Sequence, residues 1–175
     1  MNPKKRTKCY WITGLSATGK TTLATLLVDH IRSSNKVVVQ LDGDELRRVL
    51  SDQAYTREER IALGMRYSRL CRLLVNQGVD VVIAVIGLFE EIHDWNRKNI
   101  PNYIEVFIDT PMSELKRRDP KNIYKQYNSG LIKNVAGLDL EIDFPSQPDI
   151  HIKWKQGKSI DSMFSELLEK YIEFN

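Results

Sequence analysis

The chain is poor in the residues that staple, metallate or anchor a protein. Its 175 residues include two cysteines, Cys9 and Cys71, too few for a disulfide framework. Both sit in apolar patterns and read as reduced core residues of a cytoplasmic protein. Three histidines, His30, His93 and His151, show no metal-ligand spacing, and no Cys/His cluster points to zinc. No apolar run approaches the ~20 residues that span a bilayer. The N-terminus passes from basic residues straight into a strand pattern, without a secretory h-region and cleavage site, so no membrane association is expected. Charge of either sign is also in short surplus: 26 Lys and Arg against 23 Asp and Glu leave +3. Much of that excess lies in Lys4, Lys5, Arg6 and Lys8, read as a solvated basic tail over residues 1–7. With no basic stripe interleaved with aromatics, nucleic acid is not an expected partner. No repeat, low-complexity tract or linker divides residues 1–175, which read as one domain with a sizeable core.

What is present is concentrated near the start. Gly14-Leu15-Ser16-Ala17-Thr18-Gly19-Lys20-Thr21, followed by Thr22, has the form G-x-x-x-x-G-K-[ST]. An apolar run (Cys9 to Thr13) precedes it and a helical pattern (Thr21 to Ile31) follows, which is the strand–turn–helix setting the motif needs. Gly14 and Gly19 let the backbone curl so that N–H groups point inward as an anion-sized nest, and the helix dipole adds to that field. Lys20 can reach the β- and γ-phosphates of ATP, and the Thr21 hydroxyl can ligate Mg²⁺. A guanine-reading Asn-Lys-x-Asp, which a GTPase switch would require, is absent: after Asn35-Lys36 position 38 is Val.

Strand and helix patterns alternate along the chain. Apolar runs at 8–13, 36–41, 79–86 and 103–108 are too continuous for a half-exposed sheet and fit strands covered on both faces. Helical patterns lie near 20–33, 44–51, 57–77, 90–98 and 111–118. A last strand is expected at 150–152, and Ser159 opens a C-terminal amphipathic helix. This alternation predicts an α/β fold of three layers around a central parallel sheet, with ligands beyond the carboxyl ends of the strands. Residues 119–148 are long, polar and punctuated by Gly130, Gly137, Pro145 and Pro148, and read as a lid and substrate loop.

The second strand ends in Leu41-Asp42-Gly43-Asp44, with Arg47 one helical turn later. Phosphoryl transfer depends on positioning and charge neutralisation. Asp44 is therefore read as the base that takes a proton from an acceptor hydroxyl, and Asp42, with Thr21, as a metal-orienting group. Lys20 is the other catalytic candidate. Arg47, Arg60, Arg66 and Lys121 gather where an anionic acceptor needs cations.

At this point the chain resembles the adenylyl-sulfate kinase (APS kinase) family, which makes 3′-phosphoadenylyl sulfate from ATP and adenylyl sulfate. The resemblance runs from Trp11 to about Pro148, through Trp-Ile-Thr-Gly-Leu-Ser at 11–16, Leu-Asp-Gly-Asp at 41–44, Glu-Val-Phe-Ile-Asp-Thr-Pro at 105–111 and Arg-Asp-x-Lys-x-x-Tyr-Lys at 118–125. It implies a P-loop kinase fold of the P-loop NTPase class, ATP with Mg²⁺, phosphorylation of a ribose 3′-hydroxyl and a homodimer. It supports Asp44 at that hydroxyl, Arg47 and Arg60 as substrate arginines, and Lys121 as a lid lysine. The departures fall on the acceptor side, at Leu63, Met65, Gly87, Leu88 and Val135, while Tyr55, Arg66 and Ile86 keep the residue types the resemblance implies there. Val135 stands where the family usually has a Phe stacked on adenine, which leaves Tyr55 as a one-sided clamp. Ile86-Gly87-Leu88 replaces the usual Ile-Ser-Pro, and Gly87 has no hydroxyl to carry a phosphate. A neighbouring branch, associated with bacterial capsule decoration, phosphorylates cytidine diphosphoramidate at its 3′-hydroxyl, and a smaller base suits Val135. Adenylyl sulfate and this cytidine nucleotide both stand open as acceptors.

Overall fold

A computed structural model describes residues 7–174; Lys4, Lys5 and Arg6 of the basic tail lie outside the described residues. Five strands form one sheet: β1 (Cys9–Thr13), β2 (Val38–Asp42), β3 (Asp80–Val85), β4 (Tyr103–Asp109) and β5 (Ile150–Lys153). Their order is β2-β3-β1-β4-β5, and every neighbouring pair is parallel. The apolar runs therefore become strands, as their continuity demands. Strand β1 is buried along its whole length because it needs both faces covered.

The pleat divides the core in two. Cys9 and Trp11 of β1, with Val81, Ile83 and Val85 of β3, pack against α3 (Arg57–Asn76) and α4 (Glu90–Asn99). Tyr10 and Ile12 point the other way with Val82, Ala84, Val106 and Ile108, towards α1 (Lys20–Ser33) and α7 (Ile160–Glu173). On α1 the buried positions Leu23, Ala24, Leu27, Val28 and Ile31 keep the three-to-four spacing of an apolar stripe. Helices thus cover both faces of the parallel sheet, the arrangement expected of a P-loop NTPase. No described helix is long and apolar enough to cross a membrane.

Two short helices, α2 (Gly43–Val49) and α5 (Met112–Arg118), follow β2 and β4 directly. The stretch 119–148 is less open than its polarity suggests. It contains α6 (Ile123–Asn128), whose Tyr124 is buried and donates its hydroxyl to the Ser16 carbonyl at 3.1 Å. Val135, Ala136 and Leu140 enter the core on the α3 side. Asp139 closes that turn by accepting the N–H groups of Asn134 and Val135 at 2.8 and 2.7 Å. A few apolar anchors spaced among polar residues carry no helical or strand period, which is why the sequence reads as loop there.

Candidate active site

The site lies beyond the carboxyl ends of β1, β2 and β3, where the strand order reverses around β1. The phosphate loop is built from conformations that few residues tolerate. Gly14 has φ +150°, Ala17 +67° and Gly19 +96°. Gly19 caps α1 without any side-chain hydrogen bond to the first turn, so those backbone N–H groups remain open to an anion. A Cβ on Gly14 would come within 2.7 Å of the Ile108 carbonyl oxygen, an immovable neighbour in β4. Gly14→Ala is therefore expected to displace the loop and cost about 1–3 kcal/mol of stability, read by urea denaturation. An unchanged midpoint with normal nucleotide binding would contradict that close approach.

Lys20 arches back over the loop, donating to the Leu15 carbonyl at 2.6 Å and lying 3.4 Å from the Thr18 hydroxyl. Burial, reinforced by the charge of Lys121, pulls its pKa down from 10.5 to about 8, against the opposing pull of Asp44 and Asp42. Among the described residues no carboxylate forms an ion pair with this ammonium, which leaves its charge able to meet an anion.

Asp42 ends β2 and caps α2. Its Oδ1 accepts the Asp44 N–H at 2.9 Å and the Glu45 N–H at 3.4 Å, while its Oδ2 accepts the Thr21 hydroxyl at 2.8 Å. This joins the phosphate loop to the Asp-Gly-Asp turn. Among the described residues no group of three or more His, Cys, Asp or Glu is arranged to cage a metal. A P-loop Mg²⁺ does not need one, because phosphates and waters fill most of its octahedron, and the Thr21–Asp42 pair fits that role.

A cavity of about 320 Å³ opens here. Ser16, Ala17, Gly19, Lys20, Thr21 and Thr22 line its phosphate end; Asp42, Asp44, Arg47, Arg60, Ile86, Gly87 and Lys121 line the rest. Arg47 and Arg60 are held by neutral acceptors: Arg47 donates to the Ala54 carbonyl at 2.8 Å, and Arg60 to those of Tyr55 and Asn134 at 3.2 and 2.8 Å. Burial, then the nearby Arg47 charge, lowers the Arg60 pKa, with Asp139 opposing. Two crowded guanidiniums on neutral partners form an anion-seeking pair. Lys121 contacts Asp44 directly, so the segment after α5 already meets the Asp-Gly-Asp turn.

A family model described as "Adenylylsulphate kinase" matches residues 6–153. The chain belongs to this family. It is 40% identical over 135 residues to the cytidine diphosphoramidate kinase of Campylobacter jejuni, covering 77% of this chain and 79% of that one. It is 38% identical over 152 residues to an adenylyl-sulfate kinase of Pseudomonas aeruginosa, covering 85% and 78%. Among solved structures, the APS kinase of Mycobacterium tuberculosis in complex with AMPPNP and APS superposes with a TM-score of 0.86 at 31% identity, covering 95% of this chain and 98% of that one. The protein is thus a nucleotide kinase of the adenylylsulphate kinase type.

Not every acceptor-side residue read from the adenylylsulphate kinase resemblance reaches the cavity wall. Arg66 points away, paired to Asp52 at 2.8 Å with its side chain 59% exposed. Tyr55 is 54% exposed and its backbone is tied to Glu59, in the capping box that starts α3. Val135 packs among buried apolar residues. None of the three is among the residues that line the cavity. The aromatic residues that do line it are Trp11, Tyr67 and Phe89. In sequence, Tyr67 is indistinguishable from a core residue on a helical period. Its only distinguishing mark is a hydroxyl on a helix face turned to strand ends.

Proposed function

We propose that this kinase transfers the γ-phosphate of ATP to the ribose 3′-hydroxyl of a small anionic nucleotide. The observation that carries the reading is one cavity lined at one end by the phosphate loop and, beyond it, by Asp44 with Arg47 and Arg60. Mg²⁺ arriving with ATP would be held by the Thr21 hydroxyl and, through water, Asp42, and would offset charge on the phosphates. The open N–H groups of the loop and Lys20 hold the phosphates. Arg47 and Arg60 hold the acceptor's own anionic groups and so orient its sugar. The hydroxyl takes the place of Lys121 at Asp44, which accepts its proton as the new P–O bond forms. The displaced ammonium joins the cations around the transferring group. Gly87 has no hydroxyl to phosphorylate, so no covalent intermediate forms at that position, and direct in-line transfer does not need one. The buried, disulfide-free thiols of Cys9 and Cys71 suit a reducing cytoplasm.

Two acceptors fit the reading. Adenylyl sulfate is the acceptor of most of the family. Cytidine diphosphoramidate is supported by a specific observation: Val135 is folded into the core and Tyr55 lies off the cavity wall, so neither position offers a ring to sandwich a purine. Losing one stacking face costs about 1–3 kcal/mol per base, which weighs most on the larger base. The test is an ADP-release assay with both nucleotides in parallel. The cytidine nucleotide is expected to give the higher kcat/KM. Preference for adenylyl sulfate would reverse the acceptor assignment, and absence of turnover on either would remove the reading.

A further inference from the structure

Tyr67 lies one turn beyond Leu63 and Gly64 on the face of α3 that covers the ends of the strands. Its ring is buried, 6% exposed, yet it lines the cavity. Among the described residues the phenol has one hydrogen-bond partner, at the limit of such a bond, the Gly43 carbonyl at 3.4 Å. Gly43 is the middle residue of the Asp42-Gly43-Asp44 turn. That turn is pressed against the end of β3: a Cβ on Gly43 would lie 3.1 Å from Val85 Cγ1. The Tyr67 hydroxyl is therefore held against the backbone that carries Asp44, on the cavity side, with hydrogen-bonding capacity its protein partner barely uses.

We propose that the Tyr67 hydroxyl hydrogen-bonds the ribose 2′-hydroxyl of the acceptor and selects ribonucleotides over 2′-deoxyribonucleotides. The inference rests on the reading that a ribose 3′-hydroxyl meets Asp44. Once it does, the 2′-hydroxyl on the adjacent ring carbon lies beside the same turn. A 2′-hydroxyl both donates and accepts, as a phenol does. Burial pushes the Tyr67 pKa up to about 12, so the phenol keeps its proton throughout the neutral range. The charges around it, Arg47, Asp52, Asp44 and Arg66, come from the elements on either side of the acceptor end. A partly used donor in a buried wall discriminates well, because a ligand lacking the matching group leaves it unsatisfied.

The experiment compares kcat/KM for the acceptor the wild-type enzyme turns over and for its 2′-deoxy analogue, in wild type and in Tyr67→Phe. The wild-type preference for the ribose form should exceed that of the variant by about 10- to 100-fold, with the KM for ATP unchanged. A purely structural Tyr67 would lower both rates together and leave their ratio alone, and an unchanged ratio overturns the assignment. If no acceptor nucleotide releases ADP even with wild type, the underlying reading fails and this one with it. Turnover with an unshifted ratio discards Tyr67 alone.

Discussion

Asp44→Asn should lower kcat by about 10²–10⁴-fold, the range for loss of a positioned general base, while ATP binding stays close to normal. The substitution preserves the shape of the side chain. It also leaves the α2 cap intact, because that cap is made by Asp42 rather than Asp44. What it removes is the proposed acceptor for the hydroxyl proton, the carboxylate that Lys121 contacts. A second consequence runs through Lys20, whose pKa Asp44 helps to raise. Without Asp44 that pKa falls further below about 8, so the comparison belongs at pH 7 or lower, where Lys20 still holds its proton. Burst-phase measurement of bound ADP separates chemistry from binding. Turnover near the wild-type rate in Asp44→Asn would mean that the hydroxyl is deprotonated by another group and that the mechanism is misassigned.

The phosphate end of the site is legible in the chain because its chemistry is local. Gly14, Gly19, Lys20 and Thr21 lie within eight residues, and the strand and helix that aim them are their immediate neighbours. Asp42 and Asp44 are legible for a related reason: a parallel sheet brings every strand end to one edge, so a carboxylate at the end of β2 reaches the loop after β1. The acceptor end is assembled differently. Arg60 and Tyr67 lie two turns apart on a long helix, and whether either faces the cavity depends on the rotation of α3, set by packing of Leu63, Cys71 and Val75 on the sheet. Arg66 is one residue from Tyr67 and points to Asp52 instead. Val135 carries no periodic signal, and its burial follows from the Asp139 turn and from its apolar neighbours. Local motifs fix which residues form the loop end of the cavity; long-range packing decides which line the rest.

Lys20→Met is expected to reduce kcat/KM for ATP by about 10²–10³-fold, as removal of one preorganised donor to developing charge does, and to do so without destabilising the fold. The Lys20 pKa in the folded chain, about 8, lies below its ordinary 10.5. Between those two values the unfolded chain binds more protons than the folded one, so this group's contribution to stability rises with pH across that window. Below about pH 8 the folded protein carries the full cost of holding the ammonium out of water. Methionine keeps the length of the stem and removes that cost, so near pH 7 the variant should melt no lower than wild type. It should also lack the extra rise in stability that wild type shows between about pH 8 and 10. Wild-type kcat/KM for ATP should fall as pH climbs through about 8 in the free enzyme, since the neutral amine no longer pairs with phosphate. Saturating ATP should move that fall to higher pH, because bound phosphates favour the charged form. Melting curves and ATP kinetics at pH 7 and 9.5, on both proteins, read all of these effects. If Lys20→Met melted well below wild type at pH 7, the lysine would be a stabilising element of the loop rather than a charge held there at the expense of stability for the phosphate.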